Sequence, residues 1–140
     1  QAGIGPVVWG SAGDRVDKIY LREQRYLYQE GQAVFRWATT EIAPVALEAL
    51  RRAGVAPEEL TAFIPHQANL RIIDPLARKL GATEAVVARD IVESGNTSAA
   101  SVPLAWSKLV ERREIPSGAP VLLFGFGGGL TYAGQVVRSP

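Results

Sequence analysis

A chain of 140 residues is long enough for one domain with a real core, and 47% apolar against 21% charged residues is the balance of an ordinary soluble protein. A net charge of +1 argues against a general nucleic-acid binder, and no apolar run approaches the length of a bilayer span. The lack of cysteine excludes disulfides, thiolate metal sites and a cysteine nucleophile within the chain, which suits the cytoplasm. Methionine is absent too, and the chain starts at Gln1. The plain expectation is therefore a processed or excised part of something longer, with a removed tag that carried the initiator as the duller alternative.

Residues 1–17 place Gly3, Gly5 and Pro6 before the apolar run Val7-Val8-Trp9 and the turn-formers Gly10-Ser11-Ala12-Gly13-Asp14, which predicts a short strand entering a turn. Residues 18–30 are polar and aromatic without a clean period and read as irregular with strand character. From 31 to 53, Phe35, Ala38, Ile42, Val45, Ala49 and Leu50 recur three or four apart and predict an amphipathic helix. Pro44 should kink or split it, Glu48 and Arg52 are spaced to pair, and Gly54 is placed to cap it.

Residues 56–60 read as a helical turn and 62–65 as a short buried strand. A helix over 69–80 follows, with Asn69 as its N-cap, Pro75 inside it and Gly81 ending it. Residues 83–85 suggest another helical turn, and 86–91 a strand. The turn 93–98 feeds a helix over 99–113 with Val102, Ala105, Trp106, Leu109 and Val110 inward. Residues 121–124 form a strand, 125–129 a glycine loop and 130–137 a closing strand. This alternation implies a one-domain α/β fold with helices flanking a mixed, mostly parallel sheet whose last two strands are antiparallel.

Three stretches can carry chemistry. His66, the one histidine, ends an apolar run. Such a residue is more often structural than catalytic. Metal binding is poorly served without a second His or Cys, whereas acid–base work or hydrogen-bond donation to an enolate is open to a neutral imidazole. Asn96, in Gly95-Asn96-Thr97-Ser98, fits an ordinary turn and cap. The loop Gly125-Phe126-Gly127-Gly128-Gly129 lacks the glycine at position 130 of a dinucleotide loop and the Lys of a Walker loop. It is either a tight hairpin turn or a bare backbone offering N–H groups to an oxyanion. All three follow strands of one sheet, so their loops can converge at one edge.

Pro65-His66-Gln67-Ala68-Asn69-Leu70-Arg71-Ile72-Ile73, Gly95-Asn96-Thr97-Ser98-Ala99-Ala100-Ser101-Val102-Pro103 and Phe126-Gly127-Gly128-Gly129 closely resemble the β-ketoacyl-acyl-carrier-protein synthase III family. Gly31-Gln32-Ala33-Val34-Phe35-Arg36-Trp37-Ala38 resembles it as well, and residues 14–30 match least. The resemblance implies a five-layered thiolase-like fold of two βαβαβαββ halves, with residues 1–140 forming the C-terminal half. It implies decarboxylative condensation of an acyl-CoA with malonyl-carrier protein to start fatty-acid synthesis. A cysteine on the absent N-terminal half takes the acyl group, while His66 and Asn96 stabilise the enolate. Gly128 N–H joins the oxyanion hole, with Phe126 and Gly127 beside it.

By the same resemblance Gly31, Val34, Phe35, Ala38 and Asn69 line the pantetheine tunnel. Arg36, Gln67, Arg71, Arg78 and Lys79 dock the acidic carrier protein, although a solvated charged face explains these cations too. The implied partners are the N-terminal half, acyl carrier protein and a second copy in a homodimer, with no nucleic acid and no membrane. No cofactor or metal is implied, acyl-CoA and malonyl-carrier protein being substrates. Elongating synthases, which use two histidines, do not fit, nor do chalcone-synthase-like enzymes, which carry proline where Gly128 stands. A polyketide-priming synthase and a non-catalytic carrier-protein-binding module remain open. As an isolated chain, without a cysteine, it is expected not to condense anything.

Overall fold

A computed structural model describes residues 3–140; Gln1 and Ala2 lie outside it. The elements in order are β1 (Ile4–Ser11), β2 (Ile19–Arg22), β3 (Tyr26–Gln29), α1 (Gly31–Thr40), α2 (Ala43–Ala53) and β4 (Ala62–Pro65). They continue with α3 (Leu70–Leu80), β5 (Val86–Val87), α4 (Ile91–Ser94), α5 (Ser101–Glu111), β6 (Pro120–Gly127) and β7 (Thr131–Arg138). Short 3-10 turns occur at Gly13–Lys18, Pro57–Glu59 and Ser98–Ala100.

Five strands form one sheet in the order β1-β7-β6-β4-β5, and β2-β3 is a separate ribbon. β4 is parallel to β5 and β6, while β7 is antiparallel to β6 and β1. Four strands therefore run one way and β7 runs against them, which is the mixed, mostly parallel sheet expected.

The period-two alternation of strands divides the core. Phe63, Leu122, Phe124 and Val136 pack with Trp37, Leu50, Ile72 and Leu76 of α1, α2 and α3. Ala62, Ile64, Val121 and Val137 face the other way and pack on Ala105 and Leu109 of α5. That second face is only partly covered. On β1, Val8 is buried at 9% exposure, but its neighbours Val7 and Trp9, pointing oppositely, stand 44% and 75% exposed.

Several local expectations hold. Pro44 splits the first helical pattern in two and occupies the first turn of α2, where its missing N–H is not needed. Gly54 caps α2 at a left-handed φ of 67°, and Glu48 accepts from both Arg51 and Arg52 at 2.6 and 2.8 Å. Asn69 caps α3 by accepting the Arg71 N–H at 2.9 Å. Pro75 sits inside α3 without ending it.

Others are corrected. The helical turn at 83–85 is a plain turn, and the strand over 86–91 shrinks to two residues because Asp90 already leads into α4. Residues 18–30 form a clear hairpin, whose turn residues Glu23 and Gln24 take φ of 52° and 54°. β6 also runs on through Gly127, so most of the glycine stretch is strand and the turn begins at Gly128.

Gly134 on β7 offers a test of the core. A methyl built there would lie 2.9 Å from Phe124 Cδ2 and 3.3 Å from Ala49 Cβ. Gly134→Ala should therefore destabilise the fold by about 1–3 kcal/mol through overpacking. Urea unfolding should give a lower midpoint with an unchanged slope. An unchanged midpoint would mean that the α2–β6–β7 packing is looser than described.

Candidate active site

His66 follows β4 and still belongs to its ladder, donating its backbone N–H to the Phe124 carbonyl at 2.7 Å. Its Nδ1 lies 2.7 Å from the Ser101 hydroxyl at the start of α5. The same hydroxyl accepts the Gln67 N–H at 3.1 Å. Phe126 packs edge-on against the imidazole, centroids 5.3 Å apart at 76°, and is itself backed by Trp37 at 6.2 Å. The ring is thus held on one side by a polar contact and on another by an aromatic wall. Burial pushes the His66 pKa below its ordinary value, with the Ser98 backbone opposing. The neutral imidazole is the favoured form at pH 7.

Asn96 reaches the same place from the loop after α4. Its Oδ1 accepts the Ser98 N–H at 2.9 Å, an Asx turn that leaves the amide NH2 with its hydrogens to offer. The loop is braced from behind by Lys108 of α5, which donates to Asp90 Oδ1 at 2.5 Å and Ser94 Oγ at 2.7 Å.

His66 and Asn96 both line a concavity of about 720 Å³, together with Asn69, Arg71, Phe126 and Gly127. A second hollow of about 710 Å³ lies beyond His66, walled by Trp9, Ser98, Val102, Gly125 and Tyr132. His66, Phe126 and Gly127 belong to both, so they form the divide. The glycines contribute by what they lack. A methyl at Gly125 or Gly127 would meet nothing within 4 Å, and only Gly129, at φ 130°, is in a conformation that demands glycine for the turn.

Residues 50–139 match the family model for the C-terminal part of 3-oxoacyl-[acyl-carrier-protein (ACP)] synthase III. The chain belongs to that family. Beta-ketoacyl-[acyl-carrier-protein] synthase III 2 of Streptomyces avermitilis is 60% identical over all of this chain and 45% of its own length. Number 4 of Streptomyces coelicolor is 58% identical over the same shares. The chain spans about half the length of these relatives. Among solved structures, the priming beta-ketosynthase of the R1128 polyketide pathway superposes with a TM-score of 0.93 at 45% identity, covering 99% of this chain and 45% of that one. The Thermus thermophilus synthase III gives 0.90 at 37% identity, covering 99% and 47%.

Of the residues expected to line a pantetheine tunnel, Gly31, Val34, Phe35 and Asn69 border the larger concavity. Ala38 does not. It is 0% exposed, packed into the core behind the cavity wall. Arg36 and Arg71 stand at the cavity, exposed and without an ion-pair partner among the described residues, since Asp74 pairs instead with Arg89 at 3.0 Å. Arg78 and Lys79 lie at the other end of α3, and the Lys79 ammonium donates to the Thr39 carbonyl at the end of α1.

Gln67 is a correction. Expected on a docking surface, it is 0% exposed, and its amide bonds to Pro65 O, Ala88 O and the Ile91 N–H. It ties the ends of β4, β5 and α4 together from inside. Gly128 likewise lies beyond the cavity wall, in the exposed turn near Ile19. Sequence reasoning passed over Ser101 and Ile19. Ser101 lies within the Gly95–Pro103 motif, but inside the helix expected over 99–113 it gives no sign of its partner 35 positions away.

The direction of the His66 shift has a sign that can be checked. With the folded pKa below 6.5 and the unfolded one ordinary, this group's stabilising effect is complete above pH 6.5 and is lost as the pH falls through the folded value. An NMR titration of the ring should give a midpoint below 6.5. A midpoint at or above that value would mean that burial does not disfavour the imidazolium here.

Proposed function

We propose that this chain supplies the enolate-stabilising half of a decarboxylative condensing site. A cysteine outside these 140 residues holds the acyl group delivered by acyl-CoA, and the malonyl thioester enters past Arg36 and Arg71. The observation that carries this reading is that His66 and Asn96 line one concavity while Asn96 has its acceptor already occupied.

Loss of carbon dioxide leaves its bonding pair on the malonyl α-carbon, and the thioester oxygen takes up the negative charge. Two N–H donors aimed at that oxygen gain most in the transition state, where the charge appears. The carbanion then attacks the acyl-cysteine carbonyl, forming the carbon–carbon bond as the thiolate leaves. The polar pair sits beside Phe126 and Trp37, and partial exclusion of water strengthens each donor. The unpaired Arg36 and Arg71 suit an acidic carrier protein, and we place Arg78 further along the same contact. Lys79 is already engaged with α1 and contributes less.

The likeness to a polyketide-priming ketosynthase supports a second reading, with the same chemistry serving a polyketide carrier protein. Comparing condensation rates on fatty-acid and polyketide carrier proteins separates the two.

The completed enzyme, this chain joined to the cysteine-bearing half of its full-length protein, tests the proposal. His66→Ala or Asn96→Ala should each slow malonyl decarboxylation by about 10²–10³-fold, as loss of an oxyanion donor does elsewhere. Acylation of the cysteine by acyl-CoA should continue. Undiminished decarboxylation in both variants would sink the idea. For docking, Arg36→Glu with Arg71→Glu should raise KM for malonyl-carrier protein and flatten its salt dependence, with malonyl-pantetheine unaffected. Equal effects on both substrates would count against a docking role.

A further inference from the structure

Ser101 opens α5 at 1% exposure, and both its hydrogen-bond partners belong to the stretch that carries His66. A hydroxyl has one hydrogen and two lone pairs. The Gln67 N–H, 3.1 Å away, can only donate, so it takes one lone pair. Nδ1 of His66, 2.7 Å away, can take the hydrogen or give one. Were it to give one, the hydroxyl would receive two N–H bonds, and its own hydrogen would be buried with no acceptor, since Ser101 has no other partner among the described residues. The arrangement that leaves nothing unpaired has Ser101 donating to a bare Nδ1.

We infer that Ser101 is a positioning residue that holds His66 as the Nε2–H tautomer, with Nδ1 kept bare and the ring's one hydrogen on the far nitrogen.

The direction of donation is inherited from the interior. The Gln67 side chain spends its amide on two carbonyls, Pro65 at 2.7 Å and Ala88 at 3.2 Å, and its oxygen on the Ile91 N–H at 3.0 Å. With every group satisfied, the Gln67 peptide cannot rotate without breaking a buried set of bonds. Its N–H therefore stays aimed at Ser101 and the hydroxyl at Nδ1, which leaves the ring hydrogen to the far nitrogen, and the Ser98 backbone is the other group that bonds the ring. Phe126, edge-on at 76°, limits ring tilt. Asn96 is oriented by the same logic, because Ser98 N–H claims its oxygen. The atoms left over, Nε2 of His66 and the NH2 of Asn96, then carry hydrogens and no lone pair, and both residues line the same concavity. That matches a carbonyl oxygen gaining negative charge and disfavours proton abstraction by His66. The link to catalysis rests on the proposed role of His66, whereas the tautomer does not.

The test uses the completed enzyme with ¹⁵N-histidine confined to this chain by segmental ligation, so that its single imidazole reports alone. Long-range ¹H–¹⁵N correlation should show Nε2 protonated and Nδ1 bare and hydrogen-bonded above pH 7. In Ser101→Ala the Nδ1 resonance should lose its hydrogen-bond shift and the Nδ1–H form should become populated; Ser101→Thr, which keeps the hydroxyl, should restore the pattern. Decarboxylation kcat should fall roughly ten- to a hundredfold in Ser101→Ala, as for other residues that orient a functional histidine, with KM for malonyl-carrier protein unchanged. A protonated Nδ1 in the unmodified chain would overturn the inference outright, whether or not the variants fold. So would a Ser101→Ala spectrum identical to the parent. If the tautomer is as stated but His66→Ala decarboxylates normally, the proposed function fails and the role of Ser101 stands.

Discussion

The parallel pairing of β4 with β6 is the constraint on which the rest depends. β4 is only four residues long, and all four are buried. Its register with β6, from Ala62 opposite Val121 to Pro65 opposite Phe124, sets Phe63 into one core and Ile64 into the other. Burying side chains of that size is worth roughly 1.5–3 kcal/mol each, so a slip of one residue, which would exchange the two faces, is strongly disfavoured. The ladder ends with the His66 N–H on the Phe124 carbonyl. The place where the imidazole leaves the sheet is therefore decided by hydrophobic packing beneath it.

Packing fixes where the histidine stands, and hydrogen bonds fix how it faces. Gln67 and Ser101 bond across 21 to 35 positions of chain, to backbone groups and to the imidazole itself, while Ser98 N–H holds the Asn96 oxygen two positions away. The α4–α5 brace through Lys108 and Asp90 serves a similar end for Asn96, and it is firmer than a surface pair because the Asp90 side chain is only 7% exposed. By contrast the exposed pairs on α2, between Glu48 and its two arginines, add little beyond helix propensity.

Much of the fold could be read from local chemistry alone. Gly54, Gly81 and Asn69 announced helix ends because capping depends on one residue and its neighbours. His66 and Asn96 were legible because each closes an apolar run or opens a turn within a distinctive motif. What escaped was decided at a distance. The β2–β3 turn is built from Glu23 and Gln24 in left-handed backbone without the Gly, Asn or Asp that usually signals it. Gln67 sits between two half-buried neighbours, His66 and Ala68, and only the convergence of β4, β5 and α4 makes it an interior residue. Ala38 follows the cavity-lining Val34 by one helical turn, yet it is buried in the core and lines no part of that cavity.

The open glycines of β6 have a consequence for how the molecule can be improved. Glycine in a strand costs about 0.5–1 kcal/mol relative to alanine, and neither Gly125 nor Gly127 adopts a backbone that requires it or meets a neighbour that forbids a methyl. An engineer selecting only for resistance to heat would be drawn to these two positions first. The added methyls would be accommodated by the fold and felt only by whatever enters the two hollows. Robustness and the openness of the two hollows are set against each other here along a single strand, and a screen for one is blind to the other.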